Sequence, residues 1–274
     1  MWYPIAQDNP NGYSERRMKR LERENERALN EALKPYCDDC RRQLTIPEDA
    51  YKQYDIKRGL RNADGTGVLA GVTRICNVHG YVMEAHERRP AEGRLFYRGI
   101  DIRDLIEGCT AEDRFGFEEV VWLLLFGYLP TAEQLSGFTR LLEQHRELPE
   151  GFIEDMIIKA PSPNIMNKLA RSVLALYSYD ELAEDMSLEN IVRQSIELIA
   201  RVSTIMVNAY QVKKRYYDHQ SLFFHTPIDG MSFSENILST MRLDRRFTRE
   251  EAKLLDICLI LHAEHGGGNN STFA

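Results

Sequence analysis

The run Phe117-Glu118-Glu119-Val120-Val121-Trp122-Leu123-Leu124-Leu125-Phe126 limits the possible folds more than any other stretch. It is apolar on nearly every side of a helical wheel, so it is stable in water only when other elements surround it. Gly127 terminates it, and Pro130-Thr131 opens another element immediately afterwards. At seven apolar residues, 120–126 is far short of the roughly 20 needed to cross a bilayer, so the run reads as a buried helix. A chain of 274 residues, 43% hydrophobic and 28% charged, has enough material to bury it in a large core.

Beyond residue 100 the sequence reads as helix after helix. Asp101 or Thr110 can cap short helices, and Thr131-Ala132-Glu133-Gln134 is a capping box. The helix it starts runs towards His145 with Leu135, Phe138, Leu141 and Leu142 on one face. Pro149 and Pro161-Ser162-Pro163 punctuate the chain around helices expected over 150–159 and 164–178. Ser187 precedes a long helix over about 188–211, with Ile191, Ile196, Ile199, Val202 and Ile205 among its apolar positions. Lys213-Lys214-Arg215-Tyr216-Tyr217 follows, read as side chains laid over a helix end in preference to a phosphate-binding patch. His219 and His225 fall in the next loop, and Ser232 or Ser234 opens a helix over 232–242. Thr248-Arg249-Glu250-Glu251 is a second capping box. It launches a last helix carrying Leu254, Leu255, Ile257, Cys258, Ile260 and Leu261. The fold class is therefore all-α and multi-helical.

The first hundred residues differ in texture. Residues 1–60 read as a charged helical leader, in which Arg16-Arg17-Met18-Lys19-Arg20 is followed by Glu22, Glu24 and Glu26. Opposite charges at helical spacing make a solvated helix face, preferred here to a nucleic-acid patch. Val68, Val72 and Ile75 with Tyr81-Val82-Met83 suggest a short β-hairpin near residues 66–84, and residues 88–93 read as a loop. The net charge of −7 supplies no attraction to nucleic acid or anionic lipid, so neither is expected as a partner. Met1-Trp2-Tyr3-Pro4 begins no secretory signal, which makes the cytoplasm the expected compartment.

Five cysteines, Cys37, Cys40, Cys76, Cys109 and Cys258, are too sparse for a disulfide framework. Cys37-Asp38-Asp39-Cys40 and Cys76-Asn77-Val78-His79 could together supply three thiolates and an imidazole to zinc, with ordinary free thiols as the competing reading. No resident cofactor is expected.

The last helix runs into Leu259-Ile260-Leu261-His262-Ala263-Glu264-His265-Gly266-Gly267-Gly268-Asn269-Asn270-Ser271-Thr272-Phe273. His262 and His265 share a face if the helix continues that far. Their spacing does not match H-E-x-x-H zinc sites, and the glycines follow a helix where nucleotide-binding loops precede one. What the residues support is a histidine at a helix end, either structural or placed to hydrogen-bond a reacting carbonyl.

Residues 262–273, His-Ala-Glu-His-Gly-Gly-Gly-Asn-Asn-Ser-Thr-Phe, resemble the signature segment of citrate synthases, typically HADHE followed by an Asn and Ser/Thr-Phe run. Leu95-Phe96-Tyr97-Arg98-Gly99-Ile100-Asp101-Ile102 resembles the family's L-x-Y-R-G block, and Asn77-Val78-His79-Gly80-Tyr81 the turn before it. The stretch from Phe117 to Thr131 resembles its FEEVxxLLLxGxLPT block. Glu264 stands where the family more often has Asp, and Gly266 where it often has Glu.

The resemblance implies that residues 61–274 are the N-terminal part of the large domain of the citrate synthase fold, which condenses acetyl-CoA with oxaloacetate. It implies that His265 is the catalytic histidine bonded to the thioester oxygen, with His262 and Glu264 as helix-end support. The 2-methylcitrate synthases, which use propionyl-CoA, are the alternative. The family's second catalytic histidine, its catalytic aspartate and the small CoA-binding domain have no match within residues 1–274. The expectation is thus a truncated chain, inactive alone, that pairs as a homodimer through large-domain helices.

Overall fold

The computed structural model of the chain describes residues 74–84 and 87–264. The leader, Cys37, Cys40 and residues 66–73 of the expected hairpin lie outside them.

The described chain opens with an antiparallel ribbon, β1 (Cys76–Glu84) against β2 (Glu87–Tyr97), joined at its base by the short β3 (Ile100–Asp101) in the order β1-β2-β3. The ribbon thus extends well past residue 84, and residues 88–93 are strand where a loop was expected. Pro90 misled that reading. It sits opposite Tyr81 beside an irregular register, because His79 faces Arg94 and Gly80 is opposed by three residues of β2. A proline without an N–H is tolerated where the ladder is already interrupted. Between β2 and β3, Arg98 and Gly99 form a two-residue turn with φ of 50° and 87°, the geometry that matches the right-handed twist of hairpin strands.

Seven α-helices follow among the described residues. Asp101 caps α1 (Ile102–Ala111) by accepting from the Arg103 N–H, whereas Thr110 lies inside α1 and donates to the Ile106 carbonyl. Helix α2 (Phe117–Phe126) ends at Gly127, whose left-handed conformation, φ 89°, returns its N–H to the Leu123 carbonyl. Thr131 and Gln134 make the expected capping box of α3 (Ala132–Gln144). The segment expected as an α-helix over 150–159 is instead a π-helix, Ile153–Ile158. The buried Lys168 ammonium donates to the carbonyls of Met156, within it, and of Ala160, just beyond it.

Asn164 caps α4 (Ile165–Leu176). Ser187 caps α5 (Leu188–Tyr217), which is 30 residues long and hence about 45 Å at 1.5 Å per residue. It absorbs Lys213 to Tyr217, so the basic aromatic segment is the last turns of this helix and does not follow it. Ser232, not Ser234, caps α6 (Phe233–Met241), in a box with Glu235; Ser234 is fully buried. Thr248 and Glu251 box α7 (Arg249–Leu261).

These helices bury four apolar clusters. Phe152, Ile157 and Leu176 close on Ile205, Ala209 and Val212 of α5, while Phe138 and Leu142 of α3 meet Ile196 and Ala200 of the same helix. Phe233 and Ile237 of α6 meet Val207. The fourth cluster joins the sheet to the last helix through Cys76, Tyr97, Leu105, Val120, Leu123 and Ile260.

Helix α2 is less enclosed than its composition predicts. Val120, Val121 and Leu123 are buried, but Leu125 and Phe126 remain 37% exposed. Its outer end joins an aromatic group, with the Trp122 ring 4.4 Å from Phe126 and 5.5 Å from Phe138. Among the described residues no helix is long and apolar enough to cross a membrane.

Candidate active site at the end of the last helix

Helix α7 is placed by one face. Ala252, Asp256 and Ile260, four residues apart, are its buried positions. The middle one is a carboxylate, and it is used: Asp256 Oδ2 accepts from the Gly116 N–H at 2.7 Å, with Oδ1 near the Phe117 N–H at 3.4 Å. Asp256 thereby caps the first turn of α2 from across the core. Burial pushes its carboxyl above the usual carboxylate range, against the lowering effect of those two N–H groups. In the first turn of α2, Glu118 repeats the device for α6 by accepting from the Phe233 N–H at 2.7 Å. Glu118 is also pushed up by burial, while the Arg146 guanidinium acts to lower it. Arg146 is itself only 2% exposed, and its three guanidinium nitrogens have no hydrogen-bond partner among the described residues.

The block Leu95 to Ile102 organises the ends of two helices. Arg98 sends Nε and Nη2 to the Leu124 carbonyl, at 3.1 and 2.6 Å, covering the C-terminus of α2. A non-glycine residue at φ 50° is unfavourable, and these bonds to an otherwise orphaned helix carbonyl offset it. Tyr97, fully buried, turns to α7: its hydroxyl lies 2.9 Å from the carbonyls of both Ile260 and Glu264. The Glu264 N–H donates back to the same oxygen at 3.2 Å.

Helix α7 stops at Leu261, so His262 does not continue it but caps it, with φ −105° and ψ 4°. The His262 ring Nδ1 lies 2.7 Å from the Cys258 carbonyl, which can only accept. In the neutral ring the proton therefore sits on Nδ1, leaving Nε2 as an acceptor. That is the helix-end support expected of His262. Glu264 holds the same position through its backbone. His265, the histidine expected to act in catalysis, lies outside the described residues.

The metal reading gains no geometry. Cys76 is buried and His79 is exposed with its ring edge-on to Phe96, both lining a cavity of about 350 Å³. Among the described residues no three His, Cys, Asp or Glu side chains converge to hold an ion.

A family model described as citrate synthase, C-terminal domain, matches residues 61–274. The chain belongs to the citrate synthase family. A citrate synthase of Deinococcus radiodurans is 36% identical over 186 residues, 67% of this chain and 45% of that protein. A 2-methylcitrate synthase of Corynebacterium glutamicum is 29% identical over 223 residues, 80% of this chain and 51% of that one. The crystal structure of a citrate synthase from Pyrobaculum aerophilum superposes with a TM-score of 0.61 at 26% identity, covering 76% of this chain and 48% of that one. The chain thus spans about half the length of the relatives it matches. The helical citrate synthase fold with its small antiparallel sheet is what the described residues show.

Sequence reasoning quoted Tyr97 and Glu118 within its blocks and passed over Asp256, and gave none of the three a task. For Asp256 the signal was legible: it stands on the apolar stripe between Ala252 and Ile260, where a carboxylate needs a donor.

Proposed function

We propose that the protein carrying these residues condenses acetyl-CoA with oxaloacetate and water to give citrate and CoA. In this reading a carboxylate takes a proton from the acetyl methyl group, and the thioester oxygen gains the charge as the enol forms. His265 donates a hydrogen bond to that oxygen. The methyl carbon then attacks the ketone of oxaloacetate, and water cleaves the thioester to release CoA. A neutral imidazole is the suitable donor, because it stabilises developing charge without first binding as a cation.

The observation that carries the reading is the family match over residues 61–274 together with a last helix held at its middle by Asp256 and at its end by Tyr97 and His262. The name of the Corynebacterium glutamicum relative supports a second reading, in which propionyl-CoA replaces acetyl-CoA. Pairing of two copies is part of the proposal. It is supported by exposed apolar side chains around α4 and the start of α5, including Met166, Leu174, Met186 and Leu188.

A polypeptide of residues 1–274 alone is proposed to be inactive, since the family's aspartate and second histidine have no counterpart in it, and loss of co-operating groups collapses the rate. The test is release of free CoA in the presence of oxaloacetate, for the protein from its native source and for the 274-residue polypeptide. Citrate formation by the native protein alone is the expected result. Turnover by the short polypeptide would overturn the inactivity claim, and faster turnover of propionyl-CoA by the native protein would overturn the substrate choice. Light scattering at the mass of one chain would overturn the pairing.

A further inference from the structure

We propose that the small cavity beside Arg146 is a binding site for one internal water molecule, which accepts from the Arg146 guanidinium and donates to Nδ1 of His225. Arg146 follows α3 and is 2% exposed. Its Nε, Nη1 and Nη2 are all buried, and none has a hydrogen-bond partner among the described residues. A guanidinium has only donors and does not lose its proton. Burying such a charge is costly unless acceptors replace the water it leaves. Arg146 therefore requires an acceptor that no side chain supplies directly.

The cavity has about 10 Å³ of room for the centre of a water molecule, roughly what one water requires. Four polar side chains on its wall are already committed. Ser203 and Thr204 of α5 donate to the carbonyls of Ala200 and Arg146, and Thr240 of α6 donates to that of Asn236. The Asn236 amide is divided between Ile228 and Met231. His225 and Asn208 remain. The His225 Nε2 lies 3.1 Å from the Leu243 carbonyl, which only accepts. The neutral ring thus carries its proton on Nε2 and leaves Nδ1 as an acceptor. A molecule that both accepts and donates completes Arg146 and His225 together, and the buried Asn208 amide can take a third bond.

Charge selects the occupant. The carboxylates of Glu118, Glu143 and Asp229 are near enough for their charge to act on Arg146, so an anion in the cavity meets three negative groups. A cation is repelled by Arg146 and offers it no acceptor. A neutral molecule of one heavy atom satisfies both limits. The water then joins Leu243, after α6, to Arg146, after α3, by way of His225, while the Arg146 carbonyl is held to α5 by Thr204 at 3.2 Å.

The test begins with crystals of the whole protein grown from sodium chloride and from sodium bromide, at a resolution that shows ordered water. The expected result is one peak within about 2.7–3.2 Å of both an Arg146 nitrogen and His225 Nδ1, with no anomalous signal from bromide. No peak there would overturn the proposal, and a bromide signal would overturn it in favour of an anion.

In solution, the Arg146 Nε–H of ¹⁵N-labelled protein should give a cross-peak to a long-lived water. His225→Phe keeps a ring and removes Nδ1, so the cross-peak should be lost. His225→Asn, with an amide oxygen near the place of Nδ1, should restore it. A cross-peak that survives in His225→Phe would overturn the bridge to His225. If His225→Phe does not fold, the crystals of the wild-type protein decide.

Discussion

The carboxylate of Asp256 on α7 accepts from the backbone N–H of Gly116 at 2.7 Å, across 140 residues of sequence, and so caps α2 from the helix that ends the described chain. Glu118 on α2 then caps α6 through the Phe233 N–H. Two buried carboxylates thus link three helices in series, capping the starts of α2 and α6, and both are pushed up by burial.

That shift has a sign. A carboxyl whose folded pKa is raised binds more protons in the folded chain than in the unfolded one. Its contribution to stability is fully present below the unfolded value and is lost as pH rises through the folded value. Asp256→Asn keeps an oxygen for the Gly116 N–H and removes the titration. The variant is expected to be less stable than wild type at about pH 4, with the gap narrowing towards pH 7. Urea midpoints across that range check it, and a gap that widens with pH would contradict the assignment.

Gly116 is required for space. A Cβ there would lie 2.4 Å from Cys109 Sγ and 3.2 Å from Ile260 Cδ1, inside the junction that Asp256 caps. Gly116→Ala is expected to cost about 1–3 kcal/mol, the usual range for overpacking. Combining it with Cys109→Ala removes the sulfur and should recover part of that loss, a non-additivity that a double-mutant cycle measures. Strict additivity of the two losses would show that the sulfur is not the obstacle.

Much of this architecture was legible because its signals are local. The capping boxes at Thr131 and Thr248 and the cap at Ser187 need only residues within one turn, and each stands where the sequence places it. The errors arise where tertiary partners decide. Strand β2 keeps Pro90 because the ribbon is already irregular there, and the π-helix and the residues after it give carbonyls to Lys168, which comes from α4. Helix α5 runs six residues past its expected end because Lys213 to Tyr217 continue it with no breaker residue. In the candidate site the histidines and glycines were visible as a motif. The partners of the groups that hold the helix leading into it, Tyr97 and Asp256, were not, because those partners are over a hundred residues away in sequence.

Burial also separates the cysteines. The Cys109 thiol, buried against Gly116, is pushed up to about 11. At pH 8 only about 0.1% of it is thiolate, the reactive form. Cys258 is exposed on the outer side of α7. Brief treatment with iodoacetamide at pH 8, followed by peptide mass mapping, should label Cys258 and leave Cys109 unmodified until denaturant is added. Equal labelling of the two in the folded chain would show that the α1–α2 junction opens readily.

Asp180 provides the opposite pH sign. Its carboxylate accepts from Gln194 Nε2 at 2.9 Å and from Arg193 Nη2 at 2.7 and 2.8 Å, beside the start of α5. The Gln194 amide and then the Arg193 guanidinium hold its pKa down to about 2. A carboxyl with a depressed folded pKa gives stability that is present above its unfolded value and lost as pH falls through the folded one. Asp180→Asn is expected to cost about 1–2 kcal/mol at pH 7, in the range for hydrogen bonds to a charged group that is partly open to solvent. The cost should shrink as pH falls from about 4 towards 2, where wild-type Asp180 becomes protonated and loses the same charge. Thermal melts of both proteins at pH 7 and pH 3 make the comparison. A difference that stays constant down to pH 2 would mean that the carboxylate's shape, and not its charge, holds Arg193.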